Sequence, residues 1–221
     1  MRWKKFSFEK TSSAMPTIIE WNKETGKGLA FDFPPGWKPV KYDQEEDELI
    51  SEPAGFYRSI ILGEKTKKTA QGIRAMDIIC RLPGNSKQLQ FIEIKDDRLR
   101  TMAKGDRETE LYETVLLKTI GTLAGLTLAE RLGEESVRPM ACISRQPTIE
   151  VILFLVEPPE RVVPDIGSRR TIRRLVNQQL KTSLDQRLSA TLNRWGLPFT
   201  LYNLSNRIAP DWRVREVTRE A

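Results

Sequence analysis

Residues 74–98 read Arg74-Ala-Met-Asp-Ile-Ile-Cys-Arg-Leu82, then Pro83-Gly-Asn-Ser-Lys87, then Gln88-Leu-Gln-Phe-Ile-Glu-Ile-Lys-Asp96, with Asp97 and Arg98 following. Two short runs of Ile, Leu and Phe flank a Pro-Gly-Asn-Ser turn, the composition of a β-hairpin. Charge interrupts both runs where a covered strand should have none: Asp77 in the first, Glu93 and Lys95 in the second. With the turn centred near Asn85, antiparallel pairing sets Asp77 opposite Glu93, at a Cβ separation of roughly 4.5–5.5 Å. Lys95 projects from the same face as Glu93, two residues further on. Carboxylates this close repel, and each raises the pKa of the other unless a cation sits between them. A hard divalent ion such as Mg²⁺ is the natural partner for such oxygens. The competing reading is a solvent-facing ion pair, Glu93 with Lys95 or Asp77 with Arg74, which would contribute little. The run Phe91-Ile-Glu-Ile94 counts against it, because it suits a strand covered on both faces.

Composition narrows the chemistry. The 221 residues carry a net charge of +6 with 30% charged and 39% hydrophobic residues, enough for one α/β domain whose basic surface favours nucleic acid or another polyanion. Histidine is absent, which removes histidine-dependent nucleases, Ser-His and Cys-His triads, metalloproteases and zinc deaminases. Neither a Gly-rich phosphate loop nor Gly-x-Gly-x-x-Gly occurs, so an enzyme built from this chain works with carboxylates, lysine and a metal. Cys80 and Cys142 are too few and too isolated for a disulfide framework or a zinc site. The amino-terminal residues lack the apolar stretch of a signal peptide, and no run is long enough to span a bilayer. A cytoplasmic protein is therefore expected.

Away from the hairpin, residues 1–36 read as a β extension, with strands at Thr17–Trp21 and Gly28–Phe33 around a Lys23-Glu-Thr-Gly turn, packed on the main sheet. Residues 37–56 read as a connector containing an acidic run. The catalytic core is expected over 56–206. It starts with a strand from Phe56 to Leu62, runs through the hairpin, and continues in a helix from Arg107 to Leu132 with Leu111, Val115, Leu117, Ile120, Ala124 and Leu128 at helical spacing. Pro147 to Val156 is the most apolar segment, a buried strand, and reaching it through the helix implies a right-handed crossover and a mixed sheet. A second helix is expected from Thr171 to Trp195, then closing strands at Phe199–Leu204 and, within 207–221, at Trp212–Val217, on the sheet edge.

The pattern of Asp77, a gap, then Glu93-Ile94-Lys95 resembles the active site of the PD-(D/E)XK nuclease superfamily, with Met76 standing where the family often has proline. The resemblance implies an α/β restriction-endonuclease-like fold with a mixed sheet flanked by helices. It also implies metal-dependent hydrolysis of phosphodiesters, most readily as a DNA endonuclease. Asp77, Glu93 and the Ile94 carbonyl would hold Mg²⁺ or Mn²⁺. Lys95 would position the attacking water or stabilise charge on phosphorus. A further acid is sought among Asp43, Glu45, Glu46 and Glu48, with Asp97, Glu110 and Glu113 as lesser candidates. Arg58, Lys67, Lys68, Arg98, Arg100 and Lys104 are candidates for phosphate contacts. Arg169, Arg170, Arg173 and Arg174 crowd the start of the second helix, where cations oppose the macrodipole. A polyanion explains them, as does pairing with the acidic connector. A homodimer or partner subunit would let a single-site enzyme cut both strands of a duplex. The rival to an enzyme is an inactive nucleic-acid-binding or assembly subunit of the same fold.

Overall fold

The computed structural model describes residues 15–22, 26–44, 56–57, 74–84, 87–97, 107–156, 167–204 and 211–218, with backbone only at 167–177. In chain order its elements are β1 (Thr17–Trp21), β2 (Lys27–Asp32), β3 (Lys38–Lys41), β4 (Ile78–Arg81), β5 (Gln88–Asp96), α1 (Arg107–Leu132), β6 (Thr148–Val156), α2 (Gly167–Arg194), β7 (Phe199–Asn203) and β8 (Arg213–Thr218). They form two sheets, a five-stranded one in the order β3-β4-β5-β6-β7 and a three-stranded one in the order β1-β2-β8. The first three strands of the larger sheet are antiparallel neighbours, while β5, β6 and β7 run parallel. The protein is therefore α/β with a mixed sheet, and β5 and β6, joined through α1, run parallel as expected.

Strand alternation divides the core in two. Ile79, Leu89, Phe91, Val151 and Leu153 point toward α1 and α2, meeting Leu111, Val115, Leu184, Leu188 and Leu192. Ile78, Cys80, Ile92, Ile94, Ile152 and Phe154 point the other way, onto Leu29 and Phe31 of the smaller sheet and the flanking Phe33 and Trp212. Strand β5 is thus covered on both faces, as its apolar run requires. Gln90 carries polarity through this layer: its amide donates to Glu150 at 2.9 Å and accepts from the Trp212 indole at 3.2 Å.

Both helices stop by the same device. Gly133 and Gly196 adopt left-handed backbone, at φ 68° and 74°. In α1 the Gly133 and Glu134 amides bond the Glu130 and Ala129 carbonyls, and in α2 the Gly196 and Leu197 amides bond those of Asn193 and Leu192. Each pair is a Schellman cap, sealed at α2 by the buried Leu197 against Leu192.

Four expectations need correction. The connector contributes a core strand: Lys38–Lys41 pairs with β4 at the edge of the larger sheet. Phe56 and Tyr57, expected to open a strand, have helical backbone, and the residues after them lie outside the described set. The second helix begins at Gly167, so Arg169 and Arg170 lie inside it. The final strand is an edge strand, as expected, but of the smaller sheet, where it pairs with β2.

Candidate active site at the open end of the hairpin

The hairpin register follows the turn. Ile78 pairs with Ile92, Ile79 with Phe91, Cys80 with Gln90 and Arg81 with Leu89, so the next step places Asp77 across from Glu93. Strand β4 ends at Ile78 while β5 continues to Asp96. Among the described residues, this mismatch leaves the β4 side of β5 without a strand partner from Glu93 onward. Asp77 fills part of the gap, its Oδ2 accepting a 2.7 Å hydrogen bond from the Ile94 amide. The N–H and C=O of one strand residue point to the same side, which turns the Ile94 carbonyl toward the same opening.

Three predicted residues converge there, and a fourth arrives from α1. Lys95 Nζ lies 2.9 Å from Glu93 Oε1. Lys118 Nζ lies 2.8 Å from Asp77 Oδ1 and 2.7 Å from Glu93 Oε2, tying both carboxylates to one ammonium. The Glu93 side chain is 0% exposed and that of Lys118 9%, against 29% for Lys95, so Lys95 is the cation that solvent reaches. A second pair borders the site, Lys41 with Glu20 at 3.4 Å, and Glu20 is close enough to feel both Asp77 and Lys118. Three acids and three lysines thus alternate from β1 and β3 across to β5 and α1.

Burial dominates the electrostatics. It pushes the Glu93 carboxyl up to about 7, helped by Asp77 and opposed by Lys118 and Lys95. Burial also works against the charge on Lys118, but Asp77 and then Glu93 outweigh it and hold that ammonium above the ordinary lysine range. Glu20 is raised by burial, with Lys41 pulling the other way. Because Glu93 binds its proton more tightly folded than unfolded, the folded state holds more protons between about 4.5 and 7, and stability falls as pH rises through that window. At 1.36 kcal/mol per pKa unit the loss is at most about 3 kcal/mol. Thermal melts without divalent ions are expected to show a lower midpoint at pH 8 than at pH 5.5, and Glu93→Gln should flatten the difference. Asp32 and Glu108, lowered by Arg215 and Arg187, act in the opposite sense, and only toward more acid pH. A Glu93→Gln profile as steep as that of the unchanged protein would remove Glu93 as the cause.

Packing holds Asp77 in place. The preceding residues lie against α1, where the Met76 amide donates to Thr122 Oγ1 at 2.8 Å and the Arg74 guanidinium reaches Thr114 Oγ1 at 3.5 Å. The Asp77 carbonyl accepts from the Tyr42 amide at 2.8 Å, extending the β3–β4 ladder. The buried row of α1 includes Leu111, Val115, Lys118, Thr119, Thr122, Leu126 and Ala129. Leu117, Ile120 and Leu128 of the expected apolar stripe are exposed.

Other candidates fall elsewhere. Asp97 forms a bidentate pair with Arg107 at 2.6–3.0 Å, and Glu110 joins the same arginine at 3.1 Å. Glu113 is exposed, and Asp43 lies beside Tyr42. Glu45, Glu46, Glu48, Arg58, Lys67, Lys68, Arg98, Arg100 and Lys104 lie outside the described residues, as do the side chains of Arg169, Arg170, Arg173 and Arg174.

Among the described residues, no three of Asp, Glu or Cys gather as a metal cage. The donor set on offer is therefore two carboxylates and a backbone carbonyl, which suits an ion that keeps most of its waters, as Mg²⁺ does. Both Glu93 oxygens are buried, and each meets an ammonium, Oε1 that of Lys95 and Oε2 that of Lys118. No described helix is long and apolar enough to cross a membrane. Comparison with protein-family models, curated proteins and solved structures returns no match.

Proposed function

We propose that the chain has a restriction-endonuclease-like core and hydrolyses phosphodiester bonds in nucleic acid, DNA before RNA, with Mg²⁺ or Mn²⁺. The observation that carries the reading is the meeting of Asp77, Glu93 and Lys95 where β4 stops and β5 runs on. Asp77 Oδ1, Glu93 Oε2 and the Ile94 carbonyl would hold the ion, whose bound form lowers the pKa of a water and neutralises charge on the scissile phosphate. Lys95, reached by solvent and anchored to Glu93, orients that water or meets the charge building on phosphorus. Asp77 is fixed by its bond to the Ile94 amide, so one carboxylate oxygen is committed to the backbone, and the other, now held by the Lys118 ammonium, is the one that would meet the ion. The net charge of +6 supports a polyanionic substrate.

A direct assay tests the reading. Purified protein with Mg²⁺ or Mn²⁺ should nick plasmid DNA, and Asp77→Ala should bind the same DNA with unchanged salt dependence and leave it uncut. Equal cutting by Asp77→Ala would discard the site.

One observation favours a second reading, a non-catalytic nucleic-acid-binding or assembly subunit. Lys118 already neutralises both carboxylates from inside the protein, as expected of a site that has exchanged chemistry for structure. That subunit would bind DNA and never cut it under any divalent ion.

A further inference from the structure

We propose that Lys118 is a resident cation seated in the divalent-ion position, and that Mg²⁺ or Mn²⁺ binds between Asp77 and Glu93 only by displacing its ammonium. The inference rests on the reading of Asp77 and Glu93 as the metal-holding carboxylates and adds what regulates that site. Its geometric basis is that one nitrogen contacts an oxygen from each carboxylate, at 2.8 and 2.7 Å. An ion bridging the same oxygens would have to occupy the same space.

Charge makes the competition costly. Glu20, Asp77 and Glu93 are balanced by Lys41, Lys95 and Lys118, so with all six ionised the site is neutral before any ion arrives. A divalent ion added beside three lysines would leave an excess of positive charge at a carboxylate that is 0% exposed, where interactions are poorly screened. Displacement removes one positive charge from the carboxylates, and lysine can make the move, because its ammonium rides on a flexible four-carbon stem. An incoming phosphodiester supplies the negative charge that a displaced ammonium needs. Divalent-ion affinity should therefore be weak in the free protein and stronger when DNA is present.

The test is Mn²⁺ binding by calorimetry, with no substrate, to the unchanged protein, Lys118→Met and Lys118→Arg. Methionine keeps the apolar stem and removes the charge, and Lys118→Gln replaces it if that variant does not fold. The neutral variant is expected to bind Mn²⁺ at least tenfold more tightly, and its melting midpoint, lowered without metal by two facing carboxylates, should recover on adding Mn²⁺. Lys118→Arg keeps the charge and should stay as weak as the unchanged protein. Adding Asp77→Asn to Lys118→Met should abolish the gain, which places the ion at these carboxylates. Unchanged or weaker Mn²⁺ binding by the neutral variants would overturn the proposal, as would no binding by any protein. The two readings fail separately. Tighter binding by Lys118→Met without DNA cleavage by any of the proteins would sink the nuclease and keep the resident lysine. Cleavage by the unchanged protein with no affinity gain in the neutral variants would do the reverse.

Discussion

Replacing Lys95 with methionine is expected to slow DNA hydrolysis by about 10²–10³-fold, the usual consequence of removing one group aimed at developing charge. DNA affinity should change little. Lys95 and Lys118 both touch Glu93, but they are placed for different work. Lys118 is almost enclosed between α1 and the sheet, while the Lys95 side chain is 29% exposed and reaches Glu93 from the open side at 2.9 Å. Of the two lysines, Lys95 is the one more open to solvent, and so the one expected to meet an approaching phosphate. Methionine preserves the stem and removes only the ammonium, so a purely structural lysine would show its loss in the melting midpoint and leave the rate alone. A lysine that acts on the reacting phosphate would show it in kcat, with KM and the midpoint nearly unchanged. Lys95→Arg keeps the charge on a planar fork of different shape and should recover only part of the rate. Cleavage by Lys95→Met at the rate of the unchanged protein would remove Lys95 from the machinery, whatever Asp77→Ala does.

The reason Lys95 was legible in the sequence and Lys118 was not lies in the kind of information each needs. A hairpin is local: once the turn is placed at Asn85, the alternation of the two strands determines which side chains face each other, and Asp77, Glu93 and Lys95 follow. The crossover to Thr148–Val156 was equally readable, because a long helix between two apolar runs has few ways to return. Strand β3 was hidden by its composition. Lys38-Pro-Val-Lys41 looks like a linker, yet Pro39 is acceptable there because β3 is an edge strand. Strand β8 pairs with β2 across most of the chain, a contact that no local pattern encodes.

Helix α1 is the more instructive miss. Helical spacing predicts an inward row of Leu111, Val115, Leu117, Ile120, Ala124 and Leu128; Leu111 and Val115 are buried, but Leu117, Ile120 and Leu128 are exposed. Beside Leu111, Val115 and Leu126, the inward face carries Lys118, Thr119, Thr122, Gly125 and Ala129, and at Gly121 and Thr122 the small and hydroxyl-bearing residues let the backbone before Asp77 come close. The signal available was Gly121-Thr-Leu-Ala-Gly125: two glycines four residues apart in a helix interior carry a cost of roughly 1 kcal/mol each relative to alanine, and close approach is a common reason to accept it. Glu20 was lost for a similar reason. It alternates as an ordinary strand residue, and only the stacking of β1 beside β3 brings it to Lys41.

Gly121→Ala is accordingly expected to destabilise the protein by about 3 kcal/mol or more, at the upper end of the usual range for overpacking, although alanine is the better helix former. A methyl group at Gly121 would lie 1.9 Å from the Arg74 carbonyl oxygen and 3.1 Å from its carbonyl carbon. These are backbone atoms and cannot rotate away. Relief requires the 74–77 segment to lift from α1, which stretches the 2.8 Å bond from the Met76 amide to Thr122 and pulls Asp77 away from Lys118. Gly125→Ala provides the comparison: its added methyl would meet the Tyr42 hydroxyl at 2.4 Å, the far end of a side chain, and a smaller loss is expected. Urea denaturation of both variants would measure the two costs, with little change in slope if the folded and unfolded states keep their compactness. The same displacement should reach function, because Asp77 is carried by the segment that moves, so any Gly121→Ala protein that still folds at low temperature should bind Mn²⁺ more weakly than Gly125→Ala. A Gly121→Ala protein as stable as the unchanged one would mean that the segment does not rest on α1, and the distances that bring Asp77, Glu93 and Lys118 together would lose their support.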